Sequence, residues 1–103
     1  MNRLEIIQIR TAKTNQKLLS EFLSTWLTQV NKGEKIGKVK IYKRINLETD
    51  YSVHIEFSGK IKNNENRLGE SLASALKEFG IVNYSIWIHQ KVNDKQEKRA
   101  NND

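Results

Sequence analysis

His54 and Glu56 stand two residues apart, and Trp87 and His89 repeat that spacing near the other end of the chain. Residues two apart on an extended strand point to one side, so each pair faces the same surface. Imidazole suits general-base chemistry at neutral pH. Tyr42 and Trp87 offer ring faces for a flat apolar ligand, and Gln8 a neutral polar contact. His54, Glu56 and His89 are also metal-ligand types. Two positions along a strand span about 6.6 Å, and a strand placed between His54 and His89 sets them roughly 9.5 Å apart. Zinc held at about 2.1 Å from each nitrogen needs closer convergence, so no metal site is expected. The candidate site residues are therefore His54 as a base, with Gln8, Tyr42, Glu56, Trp87 and His89 as ligand contacts.

The elements that must position them follow from hydrophobic periodicity. Residues 4–10 read as a strand, nearly apolar on both faces. Thr14 is suited to cap a helix, and Leu18, Leu19, Phe22, Leu23, Trp26, Leu27 and Val30 form its apolar stripe. Gly33 suits the end of that helix. Residues 36–45 alternate, with Val39, Ile41 and Ile45 opposite Lys38, Lys40, Tyr42 and Arg44. Residues 51–57 alternate as well, with Tyr51, Val53, Ile55 and Phe57 opposite Ser52, His54 and Glu56. Asn46 to Asp50 suits the hairpin between them. After a polar, turn-rich stretch over 58–66, Leu68, Leu72, Ala73, Leu76 and Phe79 mark a second helix. Gly80 is expected to end it, with Ile81 folding back on the last turn. Val82 to Gln90 is the last strand.

The order β-α-β-β-α-β, with right-handed crossovers, points to a ferredoxin-like α+β fold: a four-stranded antiparallel sheet with two helices on one face. Its first and third strands are central. The covered face is expected to hold Ile7, Ile9, Val39, Ile41, Val53, Ile55, Phe57, Tyr84, Ile86 and Ile88. The open face holds Ile6, Gln8, Lys40, Tyr42, Arg44, His54, Glu56, Ser85, Trp87 and His89. Residues 1–90 make one domain, and 91–103 a polar, disordered tail with Val92 as its one sizeable apolar side chain.

Composition narrows the function classes. The 103 residues contain no cysteine, which removes disulfides and thiolate metal sites and fits a cytoplasmic setting. The apolar run Leu4–Ile9 is too short and too polar for a signal peptide or a membrane span. The net charge is +6, concentrated in the stretch from Lys32 to Lys62. A basic stripe can attract nucleic acid or an anionic ligand. RNA modules of this element order stack bases on aromatic residues of the two central strands. Here the first strand has none, and Tyr51 and Phe57 fall on the covered face. Nucleic-acid binding through Lys38, Lys40 and Arg44 is therefore the weakest of three readings.

An open face bearing Ile6, Tyr42 and Trp87 is the kind of patch that marks a binding or dimer surface. In length, element order and open face the chain resembles the dimeric α/β-barrel proteins, which include the antibiotic biosynthesis monooxygenases and their haem-degrading relatives. The run Leu72-Ala-Ser-Ala-Leu-Lys-Glu-Phe-Gly-Ile-Val-Asn83 resembles small proteins grouped near those monooxygenases. The resemblance spans residues 3–90. It implies a homodimer joined through the open sheet faces and a pocket between sheet and helices for a small aromatic or apolar ligand. The haem-degrading members use an Asn on the first strand, a Trp, and a His on the second helix. Here Gln8 stands at the first place, Trp87 lies on another strand, and no His occurs between Asn63 and Gly80. Haem degradation is thus excluded, and no cofactor is expected. The resemblance instead implies cofactor-free monooxygenation of a phenol or quinol, with His54 as base and Tyr42 and Trp87 against the ring. A non-enzymatic dimeric ligand-binding or interaction module is the alternative.

Overall fold

The computed structural model describes residues 2–32, 38–57 and 67–90. Gly33 and the start of the first alternating segment, residues 36–37, lie outside them, as do the 58–66 connection and the 91–103 tail. The elements are β1 (Arg3–Thr11), α1 (Gln16–Lys32), β2 (Lys38–Lys43), β3 (Asp50–Phe57), α2 (Leu68–Leu76) and β4 (Gly80–Ile88). The sheet is antiparallel with order β2-β3-β1-β4, so the first and third strands are central as expected. This is the ferredoxin-like arrangement. No helix among the described residues is long and apolar enough to cross a membrane.

Alternation along the strands decides the faces. Ile7 pairs with Val53 and Tyr84, and Ile9 with Tyr51 and Val82, which puts all of them on the helix side. Leu19 and Leu23 of α1 and Leu72, Ala73 and Leu76 of α2 close over that face. Each fully buried Leu or Ile contributes about 1.5–3 kcal/mol, so this layer dominates stability. Phe22 of α1 packs on Phe79, in the turn that follows α2, their ring centroids 5.2 Å apart and tilted by 41°. Trp26 packs half-buried against the core.

Several local expectations need correction. Thr14 does not cap α1: it lies inside a 3-10 turn, Lys13–Asn15, that starts the helical rotation one turn early. Leu18 sits at the flank of the α1 stripe and is exposed. Ile45 falls in the β2–β3 turn, after the strand has ended at Lys43, and is 93% exposed. Ile86 and Ile88 do point to the helix side, but they remain exposed. The first turn of α2 lies over Glu5 and Tyr84, so those two isoleucines extend past the helix along an edge strand.

Gly80 is the first residue of β4 and pairs with Thr11. A side chain there would run into the Arg10 carbonyl, so close approach to β1 is what requires glycine. Ile81 then turns away from α2 and lies on the open face, 78% exposed. Phe79 comes after the end of α2, where its carbonyl accepts a 2.6 Å hydrogen bond from Thr11 Oγ1.

The first strand is not apolar on both faces. Glu5 points into the helix side and is fully buried. Its Oε1 accepts a 2.5 Å hydrogen bond from the Tyr84 hydroxyl, and its Oε2 lies 2.7 Å from Arg3 Nη2. That second contact is an ion pair by distance without the alignment of a hydrogen bond. The Arg3 guanidinium rests on the Phe57 ring, 4.5 Å from its centroid. Taking a carboxylate out of water costs several kcal/mol, which these partners offset.

Candidate functional site

All six candidate site residues lie on or beside the face turned away from the helices. The expected place for a ligand, between sheet and helices, holds the packed side chains of the core instead. The strand register sets the open face out in rows. One row is Lys38, Glu56, Leu4 and Trp87, and the next is Lys40, His54, Ile6 and Ser85. Then follow Tyr42, Ser52, Gln8 and Asn83, and last Asp50, Arg10 and Ile81 with Arg44 at the edge.

Two hollows open on this face, and they divide the candidates. The larger, about 700 Å³, is lined by Gln8, Tyr42 and His54 together with Ser52, Asn83 and Arg44. A second of about 530 Å³ is lined by Glu56, Trp87 and His89 with Leu4 and Lys38. Both volumes fall in the range of small-ligand sites. Ile6, between them on β1, lines neither. The two histidines therefore belong to separate hollows. Among the described residues no three His, Asp or Glu side chains converge as a metal site would require.

The chemistry concentrates in the larger hollow. Tyr42 and His54 are diagonal neighbours across β2 and β3, with ring centroids 4.6 Å apart and planes tilted by 54°. His54 Nε2 lies 2.9 Å from Ser52 Oγ. In the tautomer whose Nε2–H donates to Ser52, Nδ1 keeps its lone pair and can accept a proton. At one end of the hollow Arg10 grips Asp50 with Nε and Nη2 at 2.9 and 3.0 Å. Arg44 Nη1 reaches the same carboxylate at 3.2 Å. Hydrogen bonding to Arg10 holds the Asp50 carboxyl below the usual carboxylate range, with Arg44 adding to the effect. In return the Asp50 hydrogen bond raises the Arg10 guanidinium further.

In the smaller hollow the Trp87 indole donates to Ser85 Oγ at 2.9 Å, and the ring is 58% exposed. His89 lies just past the end of β4, where its backbone N–H bonds to the Asn2 carbonyl at 3.0 Å. Ser52, Asn83, Arg10 and Asp50 line the larger hollow but were not picked out from the sequence. Alternation already set Ser52 beside His54 and Asn83 on Trp87's face. The Arg10–Asp50 pair left no local signal, because its members stand forty positions apart.

No family model matches the sequence, and no curated protein matches it either. Solved structures do. Rv0793 from Mycobacterium tuberculosis superposes with a TM-score of 0.68, at 12% identity over 89% of this chain and 98% of that one. A provisionally named antibiotic biosynthesis monooxygenase from Deinococcus radiodurans superposes with a TM-score of 0.64, at 9% identity over 88% of this chain and 95% of that one. The chain has the fold of these proteins. The resemblance read from element order and open face holds at that level, and identities this low carry the fold alone.

Proposed function

We propose that the protein binds a small aromatic molecule in the hollow between Tyr42 and His54, as a homodimer that joins open face to open face. The observation that carries this reading is the His54 imidazole set against the Tyr42 ring at 4.6 Å, within a 700 Å³ hollow that also presents Gln8 and Asn83. A flat ring can pack on Tyr42 while its hydroxyl reaches His54 Nδ1. The exposed Tyr42, Ile81 and Trp87 on the same face support burial against a second copy. The monooxygenase name carried by the Deinococcus protein of this fold supports an oxidative use of the site.

In that use, His54 takes the proton of a phenol and leaves an electron-rich phenolate. Dioxygen adds to a ring carbon and takes back the proton held by His54, giving a hydroperoxide and restoring the neutral imidazole. Loss of water then gives a quinone, one oxygen atom staying on the ring and the other leaving as water. Tyr42 and Gln8 hold the ring in place, and the partner's sheet would exclude bulk water. Glu56, Trp87 and His89, in the second hollow, would line the dimer contact or the rim rather than touch the reacting ring.

The test is dioxygen uptake with a panel of naphthols and quinols, comparing wild type with His54→Ala. General-base catalysis is worth about 10²- to 10⁴-fold, so turnover should fall by that factor while ligand binding persists. An unchanged rate would remove His54 as the base. Ligand binding without any oxygen uptake in wild type would leave the non-enzymatic binding module standing. Native mass spectra of the purified protein report dimer formation and any retained molecule, and a bare monomer would sink the enclosed-pocket reading.

A further inference from the structure

We infer that the ligand of the larger hollow is an aromatic acid, its ring against Tyr42 and His54 and its anionic group on Arg44. This rests on the aromatic-binding reading above and names the class of molecule. Two guanidiniums, Arg10 and Arg44, share the single carboxylate of Asp50 at one end of the hollow. Arg10 commits a fork of two nitrogens to it. Arg44 commits one nitrogen, at 3.2 Å, and Asp50 is its partner among the described residues. A guanidinium carries five N–H donors in a planar array suited to a carboxylate, so most of Arg44's capacity is open to a ligand. The charge is also unbalanced. The open face carries Arg10, Lys38, Lys40 and Arg44 against Asp50 and Glu56. An anion entering the hollow therefore meets a positive field.

The register supplies the length. Arg10 and Asp50 sit two pleat repeats beyond His54 and one beyond Gln8 and Ser52; the His54 ring leans onto Ser52, so the step left for the ligand is the last one, about 6.8 Å along the strands. A single ring with a hydroxyl at one end and an acid at the other spans that step. The Gln8 and Asn83 amides line the way between and offer donors to either group.

The experiment is an NMR titration of the ¹⁵N-labelled protein with 4-hydroxybenzoate, its neutral counterpart 4-hydroxybenzamide, and a uridine octanucleotide. The acid should shift Tyr42, Ser52, His54 and Arg44 resonances in a saturable way and bind about tenfold more tightly than the amide, the worth of a charge-assisted hydrogen bond. Arg44→Gln, an exposed side-chain change, should reduce the acid to the level of the amide. Asp50→Asn should tighten the acid severalfold and leave the amide unchanged, because it frees both guanidiniums. Equal binding of acid and amide, or no effect of Arg44→Gln, overturns the acid while leaving the aromatic pocket intact. If neither compound shifts Tyr42 and His54, both readings fall. Tighter binding of the octanucleotide, centred on Lys38, Lys40 and Arg10, overturns the inference in favour of a phosphate-backbone surface.

Discussion

The Tyr84 hydroxyl donates to Glu5 Oε1 at 2.5 Å, joining the edge strand β4 to a fully buried carboxylate on the central strand β1. Burial, and next the hydrogen bond to Glu5, push the Tyr84 phenol well above its ordinary value. Because the folded pKa is raised, this group's contribution is fully present below the unfolded value of about 10 and is lost as pH rises beyond it. Tyr84→Phe should cost about 1.5–3 kcal/mol at pH 7, the range for a hydrogen bond to a charged acceptor. It should also lose part of the alkaline destabilisation expected of wild type above about pH 10. Urea melts from pH 7 to 11 check both. Parallel curves for the two proteins would show that the phenol is not held neutral by the fold.

Gly69 lies directly over that carboxylate, and a Cβ there would collide with Glu5 Oε1. In an open helix Gly→Ala stabilises by up to about 1 kcal/mol. Here the opposite sign is expected: overpacking against a pinned side chain costs about 1–3 kcal/mol, so Gly69→Ala should unfold at lower denaturant. A gain in stability would mean that Glu5 moves aside freely and is not locked by Arg3 and Tyr84.

Asp50 is the acid-side counterpart. Its folded pKa is depressed, chiefly by the hydrogen bond from Arg10. Its contribution is therefore present above the ordinary carboxylate range and lost as pH falls through the depressed value. Thermal melts should show Asp50→Asn below wild type at pH 7, with the gap closing as pH falls below the ordinary carboxylate range. High salt should also shrink the gap, since both arginines are exposed. A gap that persists at low pH would assign the loss to the β2–β3 turn, where the Asp50 backbone bonds Arg44 and Leu47.

Trp87 tests the assembly. Trp87→Asp places a charge on the open face without touching the core, because the ring's own hydrogen bond is to Ser85 alone among the described residues. Sedimentation should show a dimer for wild type and a monomer of unchanged helicity for the variant. A variant that stays dimeric would move the contact away from this part of the face.

Much of this molecule was legible before any tertiary contact was known. The apolar period of two from Val39 to Ile41 and from Tyr51 to Phe57 set which side chains would share a face, and so did Val82, Tyr84 and Ile86. The helical stripe through Leu19, Phe22, Leu23 and Trp26 set the α1 surface that meets the sheet. These patterns are local, and backbone geometry turns them into faces whatever else the chain does. With the element order, they determined the sheet topology and placed Gln8, Tyr42, His54, Glu56, Trp87 and His89 together on the side away from the helices.

What only the tertiary structure decided depends on residues far apart in sequence. Gly80 looked like a helix terminator and proves to be the point where β4 crosses close to the Arg10 carbonyl. Glu5 stood in a strand read as nearly apolar on both faces, with nothing local to show which side chains would meet it. It is buried because Gly69, with no side chain, lets α2 settle over it while Arg3 and Tyr84 satisfy its oxygens. The register across β2, β3, β1 and β4 split one polar face into two hollows, keeping His54 with Tyr42 and sending His89 to Trp87. Alternation fixes the side of the sheet a residue faces, but the neighbour it meets there is set by which strands pair and in what register.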